Sequence, residues 1–292
     1  MKVGLCGHVE PSMVALMRCL RWGIVGLGGL AVLLGMAYAG LYLYIERALR
    51  VPPPPIALGQ MPAGDAGAGA RLARILGCSG CHAPDLGGEV FADIPNVARL
   101  VAPNLTRLRG IYVPETFLRL MRAGTKANGR LALVMPNKAH QRLTDRQLAD
   151  LFAYLHSVPL VERELPSSRL RPLGRLGIAL GEYDLEEMRA DSPESPLVIA
   201  DRNEPDSGRH LALVACSECH GIDFAGFPEE GSPPLLVAKA YSDAEFARLM
   251  REGLTKAGAE SASGLMSQVA RARFAHLTDE EIAAIKGFLD QR

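Results

Sequence analysis

The residues of this chain best suited to chemistry are two copies of the pentapeptide Cys-x-x-Cys-His. Two thiols at this spacing lie about one helical turn apart, and each can bond to a vinyl group of the same haem. The adjoining imidazole is then placed to ligate the iron. The spacing therefore predicts two sites of covalent haem c attachment, one made by Cys78, Cys81 and His82 and the other by Cys216, Cys219 and His220.

A Cys-x-x-Cys pair can also be half of a zinc site or a thioredoxin-like redox motif. A zinc ribbon joins two such pairs across a shorter gap than the roughly 130 residues that separate them here. A thioredoxin-like motif lies in an alternating strand–helix pattern, which surrounds neither copy. The sequence therefore favours haem over zinc or thiol redox chemistry.

Upstream of both motifs, residues 22–45 form 24 consecutive residues without a charge. A helix of this length, rising ~1.5 Å per residue, spans about 36 Å, enough to cross a hydrocarbon layer of ~30 Å. The alternative is a cleavable signal peptide, whose apolar region is usually only ~7–15 residues long. We interpret the segment as an uncleaved transmembrane anchor.

The anchor divides the amino-terminal part of the chain into three predicted regions. Residues 1–21 form a short cytoplasmic amino terminus, residues 22–45 the span, and residues 46–65 a Pro- and Gly-rich stalk. Four consecutive prolines favour an extended, semi-rigid spacer in that stalk. Met17 begins a more typical anchor than Met1, so the sequence leaves open whether residues 1–16 are translated. Cys6 and Cys19 have no evident partner downstream, and we expect no structural disulfide.

The rest of the chain repeats itself. Phe117–Gly124 matches Phe246–Gly253, and a Leu-Thr-Asp sequence later opens an amphipathic run in each copy. Self-similarity of this kind indicates two copies of one structural unit. We predict a first cytochrome c-like domain at 66–158, a linker at 159–206 and a second domain at 207–292.

Each copy contains three predicted helices and no convincing strand pattern. The first helices cover 69–81 and 207–219, the second 114–123 and 242–252, and capping boxes at Thr144 and Thr278 open the last ones. The predicted fold class is all-α, with two tandem domains after a single amino-terminal transmembrane helix. In the linker, we expect the apolar segment 173–180 to pack against one of the domains.

A second axial ligand for each iron is sought in the loop that precedes the last helix of each copy. Met135 follows His82 by 53 residues, and Met266 follows His220 by 46. Thioether ligation raises the reduction potential and suits electron transfer. Bis-histidine ligation stays open, although we expect core packing from Met121 and Met250, and surface or packing roles from His140, His156, His210 and His276.

These features resemble the class I cytochrome c family, and more closely its membrane-anchored di-haem members. The resemblance implies the ligand sets Cys78/Cys81/His82/Met135 and Cys216/Cys219/His220/Met266. It also implies that a proline carbonyl accepts a hydrogen bond from each proximal histidine, with Pro103 in the first domain and Pro233 or Pro234 in the second. The segment 102–155 is similar to cytochrome subunits that accept electrons from periplasmic alcohol or sugar dehydrogenases.

The function expected from the sequence is single-electron transfer by two covalent haem c groups. The chain would be tethered to the inner membrane, face the periplasm, serve a respiratory chain through redox protein partners and carry out no catalysis of its own. A net charge of zero implies no bulk attraction to nucleic acid. Two alternatives remain open: a haem-bearing subunit of a larger dehydrogenase or terminal oxidase complex, and a di-haem enzyme such as a peroxidase.

Overall fold

A computed structural model describes residues 13–50, 61–192, 195–204 and 207–292 of the chain. The first element is a 36-residue helix, α1 (Met13–Ala48), which contains the predicted span and extends beyond it at both ends. Its stretch Leu16–Ala48 has a mean hydropathy of 2.0, long and apolar enough to cross a membrane and equally compatible with a signal sequence. The predictions for residues 1–12 and for the proline run at 51–60 lie outside the described residues.

Residues 49–292 form a second unit, which is mostly helical. We call 66–158 the first repeat and 207–292 the second repeat. The first repeat contains α2 (Ala66–Ile75), α3 (Cys78–Cys81), β1 (Glu89–Ile94), β2 (Ala98–Ala102), α4 (Pro114–Ala123), α5 (Asn137–His140) and α6 (Asp145–Ser157). The segment between the repeats contains β3 (Arg169–Leu170), α7 (Pro172–Leu180), α8 (Leu185–Met188) and α9 (Pro196–Asn203).

The second repeat contains α10 (Gly208–Ala215), α11 (Ser217–His220), α12 (Asp243–Glu252), α13 (Leu265–Ala272) and α14 (Asp279–Asp290). Single 3-10 helices lie at Leu105–Gly110, Pro228–Glu230, Leu235–Ala240 and Phe274–His276. The predicted long first helix of each repeat is interrupted before the Cys-x-x-Cys-His motif. In the first repeat Gly77 causes the interruption, since its φ of +74° favours glycine and ends α2.

In both repeats the first helix crosses the last one at a glycine. A Cβ atom on Gly69 would lie 1.9 Å from the carbonyl oxygen of Asp150 in α6. A Cβ atom on Gly208 would lie 1.9 Å from the carbonyl oxygen of Ala284 in α14. Only glycine allows the two backbones to approach this closely, so the same helix pair frames both motifs.

The last helix of each repeat, α6 and α14, begins at the capping box that the sequence predicted. The Thr144 hydroxyl accepts from the Gln147 backbone N–H at 3.0 Å, while the Gln147 side chain accepts from the Thr144 N–H at 2.8 Å. Thr278 and Glu281 form the same reciprocal pair in α14. These bonds satisfy N–H groups that the first turn of a helix leaves without partners, so both predicted capping boxes are confirmed.

The purely all-α prediction is wrong in one place, a small antiparallel sheet of order β1-β2-β3. Val90 pairs with Val101 and Ile94 with Ala98, and the register shifts between Val90 and Ala92. That irregularity breaks the alternation of apolar and polar residues by which a strand is recognised. β3, which comes from the predicted linker, completes the sheet.

The segment between the repeats is folded against them rather than being a plain spacer. The N–H of Leu173 donates to the Asn96 carbonyl at 2.9 Å, and Gly174 lies against the backbone of Val97. α7 therefore lies on the β1–β2 turn, as expected, but it does so through its backbone. Its leucines are exposed, so the expectation that the apolar side chains pack is wrong for Leu173, Leu176 and Leu180. Further along, the buried carboxylate of Asp201 in α9 pairs with Arg142 of the first repeat at 3.0 Å and with Arg209 of the second at 2.9 Å.

Each repeat has its own apolar core, and the two cores meet. The first is built around residues such as Phe117, Leu148 and Leu151, and the second around Phe246 and Ile285. Ile75 of the first repeat is part of the second core, and Val214 of the second repeat is part of the first. Both of these residues precede a Cys-x-x-Cys-His motif by a few positions, so the region between the motifs is packed.

Candidate haem-binding sites

The two motifs occupy equivalent places in their repeats. α3 begins at Cys78, directly after the turn at Gly77, and α11 begins one residue after Cys216. None of the four motif cysteines forms a disulfide, so each thiol can form a thioether bond. Each short helix follows the crossing helix of its repeat, and that helix pair therefore fixes where the motif lies.

The proximal histidines are oriented by proline carbonyls, as the resemblance implied. The Nδ1 atom of His82 donates to the carbonyl oxygen of Pro103 at 2.8 Å, and that of His220 donates to Pro233 at 2.8 Å. A carbonyl can only accept, so Nδ1 carries the proton and Nε2 keeps its lone pair. This is the tautomer that ligates a metal through Nε2. The structure selects Pro233 over Pro234.

One hydroxyl distinguishes the second site from the first. Ser232 precedes Pro233, whereas Ala102 precedes Pro103. The Ser232 hydroxyl donates to the carbonyl of Cys219 at 2.5 Å and lies 3.1 Å from Nδ1 of His220. The second histidine therefore has two acceptors on Nδ1 where the first has one. Aligning the residues before the two prolines would have revealed this difference from the sequence.

The electrostatics of both sites favour neutral groups. Burial lowers the pKa of His82 and His220, and the hydrogen bond to proline opposes that shift only in part. Burial raises the pKa of the Cys78 thiol to about 11 and that of Cys216 to about 12. A neutral imidazole is the form that binds a metal ion. Thiol redox centres instead need a lowered pKa, so these two cysteines do not resemble a thioredoxin-like pair.

A zinc site would need several ligand side chains close together. Among the residues that the structure describes, no three His, Cys, Asp or Glu side chains come together in a way that could hold a metal ion. One imidazole with a free Nε2 beside two thiols is instead the donor set that a haem c group requires. The residues present therefore fit that group.

The two methionines considered as distal ligands lie in different local structures. Met135 is in the loop just before α5, next to Val134, whose φ is +66°. Met266 is in the first turn of α13, so the expectation of a loop is wrong for this residue. Pro136 follows Met135, while Ser267 follows Met266 and donates from within α13 to the Gly253 carbonyl at 2.5 Å.

Each methionine shares its apolar cluster with a cysteine of the motif in the same repeat. Met135 and Cys78 both pack on the first core, and Met266 and Cys216 both pack on the second. Both thioethers are half-buried, whereas Met121 and Met250 are buried within helices. The expectation of core packing for these last two residues is confirmed.

The histidines outside the motifs are mostly packing residues. His210 is buried, and its Nδ1 atom donates to the carbonyl of Asp201 at 2.6 Å. His156 stacks on Phe152, with 3.9 Å between the ring centroids. His140 is also buried, and burial lowers its pKa to about 4. The contacts of His210 and His156 confirm the packing alternative for these two residues. His140 lies close enough to His82 for the two charges to interact, and its role stays a prediction.

The region between the two motifs contains a residue that sequence reasoning missed. Arg273 of the second repeat donates from Nε to the carbonyl of Ile75 at 2.9 Å and from Nη1 to Glu218 at 2.7 Å. Glu218 lies inside the second motif, and Ile75 ends the helix that precedes the first. No short-range pattern marks this arginine, because its partners are distant along the chain.

Residues 66–159 and 206–292 match the family model named Cytochrome c. The chain belongs to the cytochrome c family. Membership implies covalently bound haem c and electron transfer as the function of the fold. The chain is also similar to the fructose dehydrogenase cytochrome subunit of Gluconobacter japonicus, with 26% identity over 253 residues. That match covers 76% of this chain and 51% of the relative, so the chain spans about half of the relative's length.

Proposed function

We propose that this cytochrome c carries two haem groups, one in each repeat, and passes single electrons between them and to redox partners. The main support is the duplicated hydrogen bond, in which each motif histidine donates Nδ1–H to a proline carbonyl at 2.8 Å. The first haem is attached to Cys78 and Cys81 and ligated by His82. The second is attached to Cys216 and Cys219 and ligated by His220.

In this proposal the protein supplies ligands and environment rather than bond chemistry. A haem iron, when bound, takes up and releases one electron. The proline carbonyls hold the proton on Nδ1, which orients each imidazole and increases the basicity of Nε2. Met135 and Met266 would each offer a thioether as the second ligand of an iron, and thioether ligation would favour the reduced form.

We further propose that α1 tethers the protein to the inner membrane with both repeats on the periplasmic side. The uncharged stretch within α1 supports the tether, and covalent haem attachment outside the cytoplasmic membrane supports the orientation. Extraction of membranes with alkaline carbonate tests the tether. The haem-containing protein should stay in the membrane pellet with its amino terminus intact, whereas a processed signal sequence would release a shorter, soluble form.

The electron donor that we propose is a dehydrogenase, with this chain as its cytochrome subunit or exchangeable acceptor. The support is the similarity to a protein named as a dehydrogenase cytochrome subunit. Purification in mild detergent separates the two arrangements. A stoichiometric partner with dehydrogenase activity favours the subunit, while a monomer that such an enzyme reduces in solution favours the free carrier.

The deciding experiment for two haems and their ligands is an optical redox titration, combined with the mass of the denatured protein. We expect a mass increase of two haem groups and two one-electron transitions. Met135→His and Met266→His should each lower the potential of one transition, because imidazole stabilises the oxidised iron relative to a thioether. Met121→Leu is the matched control, since it replaces a buried methionine that is proposed only to pack.

Two results would contradict the proposal. A denatured protein that carries fewer than two haem groups would exclude the di-haem carrier. Rapid binding of carbon monoxide to one reduced haem, together with peroxide turnover, would instead favour a di-haem enzyme, because both require an exchangeable distal position.

A further inference from the structure

Arg273 connects the two motifs across the interface between the repeats. Its Nη1 atom donates to Glu218, between the two cysteines of the second motif, at 2.7 Å. Its Nε atom donates to the carbonyl of Ile75 at 2.9 Å, three residues before Cys78. One guanidinium is thus bonded to the polypeptide on either side of the interface, next to both haem attachment sites.

The chain around Arg273 is shaped to admit the guanidinium. A Cβ atom on Gly77, the residue before Cys78, would lie 2.8 Å from Nε of Arg273. The Arg273 side chain is only 13% exposed. Arg273 lies five residues before Thr278, and the residue five positions before the matching Thr144 in the first repeat is Ala139, which carries no charge. The largely buried charge of Arg273 therefore lies beside both sites and has no charged counterpart at the matching position of the first repeat.

The charge of Arg273 acts on groups of both sites. Burial raises the pKa of the Cys78 and Cys216 thiols, and the charge of Arg273 opposes that rise at each of them. Cys78 belongs to the first repeat and Cys216 to the second. Because the surroundings are buried, water screens this charge less than it would screen one at the surface.

Reduction of a ferric haem adds one negative charge to its site. A nearby cation stabilises the reduced form and raises the potential, whereas a nearby anion lowers it. Arg273 and Glu218 form a pair with opposite effects, and Glu218 is the more exposed partner. The net effect of the two opposite charges therefore influences the reduction potentials of both proposed haems.

We propose that Arg273 is a shared tuning residue, which raises the reduction potentials of both haems from a position in the second repeat, and that Glu218 offsets part of its effect. This inference rests on the proposed presence of two haems. It makes a specific claim beyond that proposal: a side chain of the second repeat controls the potential of the haem in the first.

The test is an optical redox titration of the full-length protein in detergent, with the haem content of every variant measured by mass. Arg273→Gln should lower both potentials, and Glu218→Gln should raise both. Arg273→Lys should leave the potentials close to wild type, because it keeps the charge while losing one of the two hydrogen bonds. Arg271→Gln is the matched control, since its partner is the exposed Glu260 and it should shift neither potential.

The outcomes separate this inference from the proposed function. If both haems are present and the first haem does not respond to either substitution, Arg273 is not shared and the inference is overturned, although the di-haem proposal stands. If the two substitutions shift the potentials in the same direction, the effect is structural rather than electrostatic, which also overturns it. If Arg273→Gln fails to accumulate, Glu218→Gln alone decides through the potential of the first haem.

Discussion

The substitution Asp201→Asn probes the ion pairs by which α9 joins the two repeats. Asp201 is 3% exposed and accepts from Nε of Arg142, itself 4% exposed, at 3.0 Å. Its other oxygen accepts from Nε of Arg209 at 2.9 Å. Asparagine has nearly the same shape, so the substitution removes the charge while leaving little empty volume.

The expected loss of stability depends on how well the arginine charges are compensated once Asp201 has lost its own charge. Loss of one partner from a buried ion pair typically costs about 3–5 kcal/mol, because the other charge stays buried without compensation. Arg142 retains a second carboxylate, that of the partly exposed Asp191 at 3.1 Å, which places the loss at the lower end. The pair with the half-exposed Arg209 adds at most about 1 kcal/mol. We expect the free energy of unfolding to fall by about 3 kcal/mol.

Urea unfolding of the haem-loaded protein measures this loss, with far-ultraviolet circular dichroism and haem absorbance followed together. In a thermal scan, ~3 kcal/mol corresponds to roughly 6–12 °C for a domain of this size. Glu260→Gln is the control, because its pair with Arg271 is exposed at both ends and should contribute no more than about 1 kcal/mol. A loss for Asp201→Asn no larger than for that control would refute the claim that the buried pair stabilises the fold.

Three further predictions concern the helix ends and the second site. Burial alone would raise the pKa of Glu281. The hydrogen bonds from Arg71 and from the backbone of Thr278 outweigh that effect, so the pKa lies below its ordinary value of 4.5. The ionised Glu281 therefore stabilises the fold above pH ~4.5, and this contribution is lost as the pH falls through the lowered pKa. Glu281→Gln should keep the helix cap but remove this acid-dependent contribution to the free energy of unfolding, as measured by urea titrations at several pH values. Gly208→Ala should lower the free energy of unfolding by about 1–3 kcal/mol, because the added methyl group meets a backbone carbonyl. Gly287→Ala, in open space on α14, should raise it by about 0.5–1 kcal/mol. Equal melting temperatures for the two variants would contradict this prediction. Ser232→Ala should raise the potential of the haem that we propose in the second repeat and leave the other unchanged, because His220 loses a hydrogen-bond acceptor that increases its basicity. An unchanged redox titration would show that this contact is inert.

Features that depend on neighbours in sequence could be read without the structure. The haem motifs, the capping boxes at Thr144 and Thr278 and the packing of Met121 and Met250 follow from residue type at fixed spacing. The hydrogen bonds from the motif histidines to Pro103 and Pro233 came from the family resemblance, not from spacing. The choice between Pro233 and Pro234 needed the folded loop, because adjacent prolines are equivalent in the sequence.

Other features were missed because the local signal was broken or weak. The β1–β2 pair contains an irregularity near Phe91, which shifts the side-chain alternation that marks a strand. Met266 was expected in a loop by analogy with Met135. It lies in a helix instead, because no proline follows it and Ser267 bonds back to Gly253 from within the first turn.

The sequence by itself determined the cofactor chemistry, since thiols and an imidazole within five residues must act together wherever the chain goes. Only the tertiary structure decided how the two sites are related. Arg273 meets Ile75 across 198 positions, and Asp201 meets Arg142 across 59. Hydrogen bonds and ion pairs act over a few ångströms in space and carry no mark of separation along the chain. Their partners became known only when folding brought the two repeats together.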